Sequence, residues 1–405
     1  FTWRPRHVAP WGPRTCSVRF AKILQWDCDT EHARRMSLHE NALPFLAYCV
    51  EHADQLTKRD WLAALTMLTT RRQQQHAGKL MRQFHDCVVE RHELFSDNVH
   101  LLLHRYAVLG SSATVWRLLP MVEAKIPSMK PGEVSVSAWA LGKLHVGDKV
   151  LWGDIARLAV SQQSQMEARD LALMSWSFMT VDRRVPDELI GLKAEVRSRL
   201  EKEGARGFSA HDLCMLMRSF AALTPRDSIF FTVLIRSLSK AFEDPAQHFT
   251  AQGLTSIWTA VARVQFEEKD EFLEQLLEQT RRLRLDHTFN QTMAAEIATA
   301  VKRMRISDGR VMYQLVHFCQ RRGRYLRAPE MLTLATVLSD MRHDDPMAWK
   351  QLNVRVQERA IDLELEEMEK LVQCFQKVGR SNSRIESLTS LFLQVKADNS
   401  RYGPS

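Results

Sequence analysis

Apolar residues return along this chain at a helical spacing that is written twice in its middle. From Phe208 the string is FSAHDLCMLMRSFAAL, and from Phe249 it is FTAQGLTSIWTAVARV. Counting each opening Phe as offset 0, apolar positions fall at offsets 5, 8, 12 and 15. They are Leu213, Leu216, Phe220 and Leu223 in one copy, and Leu254, Ile257, Val261 and Val264 in the other. That spacing is a single stripe down an α-helix. Ser219 and Ala260 share offset 11, where a small side chain lets a neighbouring helix come close. Polar breaks follow, Thr224 to Asp227 and Glu267 to Asp270, and then the second amphipathic segments IFFTVLIRSLSKAF and EFLEQLLEQTRRL. The predicted unit is a helical hairpin.

The same frame opens at Leu56, Leu94, Met129, Met166, Phe208, Phe249, Phe289, Leu326 and Leu363, at intervals of 35 to 42 residues. Offset 5 carries Trp61, Val99, Val134, Leu171, Leu213, Leu254, Ala294, Met331 and Met368, an apolar column. A period of this length, with two helices and no strand-like alternation, predicts an all-α fold. The expected architecture is a right-handed α-solenoid of about nine helix-turn-helix repeats over residues 56–396. Offset 4 is acidic or polar in most copies (Asp60, Asn98, Glu133, Asp170, Asp212, Glu330, Glu367), which suits the first turn of a helix. Residues 30–55 are expected to form a capping helix over the open end of the stack, and residues 397–405 a polar tail.

Two strings carry a resemblance to a known class. VSVSAWALGKL (134–144) and FSAHDLCMLMRSFAAL are similar to the F-S-x-x-D-L-x-x-x-x-W-A-x-A-x-L signature of organellar helical repeats. This is the octotricopeptide and heptatricopeptide class, which also builds FAST-kinase-like and RAP-domain proteins. The likeness spans roughly 129 to 305, and the flanks match in frame alone. It implies a mitochondrial matrix location, ahead of a plastid one, and association with RNA or an organellar ribosome. Offset 10 departs from the pattern. Tryptophan occurs there only as Trp139 and Trp176, followed by Arg218, Thr259, Thr299, Thr336 and Gln373, so a base-reading code at that position is eroded. No terminal RAP-like domain is visible before Ser405.

Charge sharpens the expected partner. The chain has 56 Lys and Arg against 48 Asp and Glu, a net +8 with pI near 9.2, which favours a polyanion. Residues 1–29 form a predicted extended basic arm whose first 26 residues hold Arg4, Arg6, Arg14, Arg19 and Lys22 but no carboxylate. Such a segment wraps along a nucleic-acid backbone, or is the remainder of an arginine-rich targeting sequence. Further along, the ends of second helices hold Arg197, Arg199, Lys202 and Arg206, then Arg281, Arg282 and Arg284, then Arg321, Arg322, Arg324 and Arg327. Equivalent turns stack in a solenoid at about 10 Å, so these groups are expected to form one phosphate-binding edge. Offset 14 adds Lys143, Arg263, Arg303 and Lys377 on a second line. Trp139, Trp176 and Trp258 fall on first helices, where the common role is core and the alternative is stacking on bases.

Catalytic constellations are not found. There is no G-x-x-x-x-G-K, G-x-G-x-x-G or G-x-S-x-G string. His100 and His104 share a helical face, but the string H-L-L-L-H lacks the glutamate of a metalloprotease helix, and no metal, cofactor or small-molecule substrate is expected. Seven cysteines at irregular spacing, none in a C-x-x-C pair, read as reduced thiols, with Cys214 and Cys374 buried on packing helices. Mean hydropathy of −0.28 gives no expectation of membrane insertion. The expected function is a non-catalytic RNA-associated scaffold, a mitochondrial ribosome component touching ribosomal RNA and neighbouring proteins. The alternatives are an organellar RNA-processing or stability factor and a pure protein-interaction scaffold.

Overall fold

The computed structural model describes residues 30–69, 77–181, 186–264, 266, 269–306, 308–359, 362–380, 387 and 390. Helices α1 (Glu31–Ser37) and α2 (Ala42–Glu51) come first. The frame then alternates first and second helices: α3 (Lys58–Leu68) with α4 (Gly78–Glu90), α5 (Val99–Leu109) with α6 (Ser112–Lys125), α7 (Pro131–Leu144) with α8 (Lys149–Gln162), and α9 (Ala168–Thr180) with α10 (Pro186–Glu203). It continues as α11 (Ala210–Leu223) with α12 (Ser228–Glu243), and α13 (Ala251–Val261) with α14 (Lys269–Arg282) and the single turn α15 (Leu285–Thr288). The last are α16 (Gln291–Met304) with α17 (Gly309–Arg322), α18 (Ala328–Asp340) with α19 (Pro346–Arg359), and α20 (Leu365–Lys377). No β-strand occurs among the described residues. The fold is all-α and solenoid-like, and each of the nine frame starts precedes a helix. The expected partner of α20, the polar tail and the basic arm with Arg4, Arg6, Arg14, Arg19 and Lys22 lie outside the described residues.

The chain divides into two compact units, Phe1–Arg199 and Leu200–Ser405. The repeat frame expected over 56–396 has starts in both units, and the boundary falls in its longest interval, Met166 to Phe208. A solenoid is held by nearest-neighbour contacts, so a long stack is free to divide in this way. In the first unit, first helices pack in the order α1, α3, α5, α7, α9, and second helices α2, α4, α6. In the second unit the orders are α11, α13, α16, α18, α20 and α12, α14, α17, α19. Residues 30–55 are not one capping helix but two. The chain breaks between Leu38 and Asn41, which is extended at the N-cap of α2, and α1 and α2 add a short hairpin of their own to the stack.

The frame has a physical meaning at each position. Offset 0 is a plug between the layers: Leu56, Met129, Met166, Phe208, Phe289, Leu326 and Leu363 are buried. Phe249 is half-buried, and Leu94 departs from the pattern. It is exposed, the neighbouring Phe95 is buried instead, and a 3-10 turn over His92–Phe95 delays the helix to Val99. Offset 1 is the N-cap and offset 4 is the third helical residue, so the acidic column closes capping boxes. Asp212 accepts from the Ser209 backbone N–H at 3.0 Å while Ser209 Oγ accepts from Asp212 N–H at 3.2 Å. Thr57 with Asp60 does the same, and the backbone N–H groups of Lys130, Glu167 and Glu364 donate to Glu133, Asp170 and Glu367.

Three of these acids also reach the preceding repeat. Asp60, Asp170, Asp212 and Glu330 are all buried, and Asp170 accepts from Ser135 Oγ at 2.7 Å, Glu330 from Thr292 Oγ1 at 2.9 Å, and Asp60 from Thr30 Oγ1. Each repeat's first turn is thereby tied to the helix before it. A second device returns to offset 0. Its backbone carbonyl, held at the junction of the two layers, accepts from the second helix or the loop that follows it: Met129 from Gln162 at 3.0 Å, Met166 from Arg199 at 2.6 Å, Phe208 from Gln247 at 3.3 Å, and Leu326 from Arg355. A carbonyl withdrawn from water needs such a donor. A third device is at offset 23, where Trp152 and Trp349, buried in second helices, donate their indole N–H to the carbonyls of Val146 and His343 in the hairpin turn.

Candidate nucleic-acid interface

The second unit gathers most of the arginines that the sequence singles out. Arg281 and Arg282, both exposed in the last turn of α14, share Glu278 one turn below, at 2.7 and 3.0 Å. The hydrogen bonds from Arg281, and then from Arg282, hold the Glu278 carboxyl down at about 2. Arg284 follows in a left-handed conformation, which turns the chain out of α14 and into α15. Its Nη2 lies 2.8 Å from His287 Nε2, and Arg321 Nη1 of α17 lies 2.8 Å from the same ring nitrogen. Arg322 donates to the His287 carbonyl at 3.1 Å. The Arg281–Arg284 group and the Arg321–Arg322 group therefore meet at one histidine.

Next to this junction is a surface groove of about 600 Å³ lined by Arg281, Arg284, Gly309, Arg310, Tyr313, Gln314 and His317. Arg310, at the start of α17, is paired with Asp308 and Glu274, which raise its pKa further. Tyr313 is 67% exposed and lies nearly parallel to His317, with ring centroids 5.7 Å apart and planes at 11°. These two residues are four apart on α17, one helical turn. Arg310, Tyr313, His317 and His287 are not among the residues the sequence analysis picks out. The signal available for them was an aromatic pair spaced i, i+4 on the polar side of an amphipathic helix. Nearby in the chain, Arg324 stacks over the exposed Tyr325 ring at 4.7 Å.

The remaining expected cations are placed differently. Arg199, in the first unit, is half-buried. Its guanidinium pairs with Glu195 and donates to the carbonyls of Met166, Gln163 and Ser164, so it closes the layer junction. Arg197 is exposed on α10. Lys202 and Arg206 line another groove of the second unit together with Glu201, Glu203 and Asp244, which dilute its charge. Arg327 is not at the end of a second helix but at the N-cap of α18, where it pairs with Glu330 and donates to Thr292. Of the three expected groups, the second and third are joined at His287.

On the first-helix layer, Lys143 is centred 5.0 Å over the Trp139 ring. Trp139 stacks on His104 at 5.1 Å and is 6.3 Å from Trp176. All three are buried, so this offset-10 column is core in the first unit, and burial followed by the charges of Arg105, Lys143 and Arg169 pushes His104 down to about 3. Trp258 is also core, with its indole N–H on Thr280 Oγ1 at 2.9 Å. In the second unit the layer carries a cationic cluster. Arg218 reaches Ser256 at 3.4 Å and Glu296 at 4.0 Å, and partial burial followed by the charges of Arg218 and Arg303 lowers the pKa of Arg263. Lys377 is taken up by Asp340, which also binds Lys302.

Cys49, Cys87, Cys214, Cys319 and Cys374 are free thiols, and Cys214 and Cys374 are buried as expected. Among the described residues, no group of three or more His, Cys, Asp or Glu is arranged to hold a metal ion, and no helix is long and apolar enough to cross a membrane. The chain matches no protein-family model, and no curated protein is significantly similar to it.

Proposed function

We propose that this chain is a non-catalytic RNA-associated scaffold that presents the joined arginine edge of its second unit to phosphates. The observation that carries this reading is the meeting of Arg284 and Arg321 on His287, with Arg281, Arg282, Arg310, Arg322 and Arg324 close by in the chain. Among the described side chains, Glu274, Glu278 and Asp308 pair with this group; with Asp286, which the sequence places beside Arg284, four carboxylates stand against seven guanidiniums and leave a positive excess. Planar guanidiniums suit phosphate because each donates two hydrogen bonds at once. The resemblance of residues 134–144 and 208–223 to organellar helical repeats favours a mitochondrial setting, with a ribosome as the assembly. The buried offset-10 tryptophans favour backbone contact over base-by-base reading.

The test replaces Arg281, Arg284, Arg321 and Arg322 together with glutamine. RNA binding should weaken to a similar degree for unrelated sequences, and the slope of log affinity against log salt should flatten by roughly 0.7 to 0.9 for each phosphate that the variant no longer neutralises. The native protein should co-sediment with ribosomal subunits and lose that association after nuclease treatment. Unchanged RNA binding with loss of a protein neighbour would instead favour a pure protein-interaction scaffold.

A further inference from the structure

We propose that the groove between α14, α15 and α17 holds one unpaired nucleotide, its base stacked on Tyr313 and its phosphate held by Arg284, Arg281 and Arg310. This inference rests on the RNA reading above and adds the mode of contact, a single-stranded segment.

Three observations converge on it. Tyr313 offers two-thirds of its surface to solvent from a helix whose phenylalanine, Phe318, is fully buried. His317 backs the ring at 11°, so the tyrosine is already oriented and little freedom is lost when a base stacks on its open face. The groove, at about 600 Å³, is within the size range of small-ligand sites and comfortably takes a nucleotide.

The charges around it are graded. Arg281 holds Glu278, and Arg310 holds Asp308 and Glu274, so a phosphate reaching either has to compete with a carboxylate. Arg284 instead meets the His287 ring, at 2.8 Å. An anion at Arg284 competes with an imidazole rather than a carboxylate, and then profits from the other two at longer range. A duplex has no free base face to place on Tyr313, and its backbone would meet the arginines alone. A glutamate-rich protein would likewise use the cations and leave the stacked ring idle.

The experiment uses the full chain and measures fluorescence anisotropy with an unstructured RNA of about ten nucleotides, the same strand annealed to its complement, and polyglutamate. Tyr313→Ala should weaken single-strand binding roughly tenfold, within the range expected for removing one base stack, and change duplex binding less than about twofold. Tyr313→Phe should keep wild-type affinity, and Arg284→Gln should weaken both RNA forms. Circular dichroism establishes that each variant is folded. If folded Tyr313→Ala binds the single strand as wild type does, or loses both RNA forms equally, the nucleotide site is overturned while RNA binding stands. If neither RNA form binds wild type and polyglutamate does, both the site and the RNA reading are overturned.

Discussion

Ser135 on α7 donates its hydroxyl to Asp170 on α9 across 2.7 Å, and both side chains are buried. Asp170 also accepts from the backbone N–H of Glu167, so one carboxylate caps its own helix and ties it to the preceding one. The offset-4 column is thus a set of inter-repeat couplings as well as helix caps.

Removing this coupling has a calculable consequence. Ser135→Ala deletes the cross-repeat bond and leaves the cap, and should destabilise by about 1 kcal/mol. Asp170→Ala removes both and should cost about 2 kcal/mol, the Ser135 hydroxyl falling back on the Gly132 carbonyl of its own helix at 3.1 Å. A double-mutant cycle read by urea denaturation should return a coupling of at least about 0.5 kcal/mol, as expected for residues in contact. An additive pair would mean that the bond contributes nothing.

Acid should loosen the C-terminal repeats through two carboxylates. Burial works to raise the Glu330 carboxyl, but the hydrogen bonds from Arg327 and Thr292 outweigh it and leave its pKa below the usual value. Asp340 is held low in the same way by Lys302 and Lys377 against the effect of burial. A carboxyl with a depressed folded pKa stabilises the fold above its unfolded value, about 4 for Asp and Glu, and that contribution disappears as pH falls through the folded pKa. Glu330→Gln and Asp340→Asn should each be less stable than wild type at pH 7, by about 1 kcal/mol, and the gap should narrow by pH 3. Urea midpoints at the two pH values decide this, and a constant offset between them excludes the ionic account.

Two arginines that look alike in sequence should behave in opposite ways. Arg199→Met leaves the carbonyls of Met166, Gln163 and Ser164 without their donor and should destabilise by about 2 kcal/mol, with little dependence on salt. Arg282→Met removes an exposed ion pair with Glu278 and should change stability by less than about 1 kcal/mol. Thermal melting of the two variants at low and high salt separates these cases.

The turn after the first helix offers a stabilising change. Offset 16 adopts the left-handed conformation in several repeats, as Gly110, His145, Arg305, Arg342 and Gly379. In each the following residues close back on the helix end, as when Val146 N–H donates to Leu141 and His343 N–H to Leu338. A side chain there costs about 1 kcal/mol or more relative to glycine in the folded state. Arg342→Gly should raise stability by about 0.5 to 1 kcal/mol after the extra freedom of the unfolded chain is counted. A lower melting temperature would show that the Arg342 side chain makes compensating contacts.

The sequence by itself determined the hairpin, its period and the fold class. Apolar residues at offsets 5, 8, 12 and 15 specify which stripe of each first helix is buried, and this is a local property repeated along the chain. It also located the caps, since an acidic residue three positions after the N-cap signals a helix start wherever the helix goes. Tertiary structure decided what each polar group does, because a guanidinium reaches several ångströms and its partner is set by the neighbouring repeat. Arg199 and Arg281 both end second helices. One closes a buried carbonyl cluster and the other lines an open groove, a difference made by the repeat packed beside each. Tyr313 shows the same division: periodicity puts it on the polar side of α17, but only the approach of α14 and α15 surrounds it with arginines. The division of the chain within α10 is likewise tertiary, because the repeat frame has starts on both sides of it.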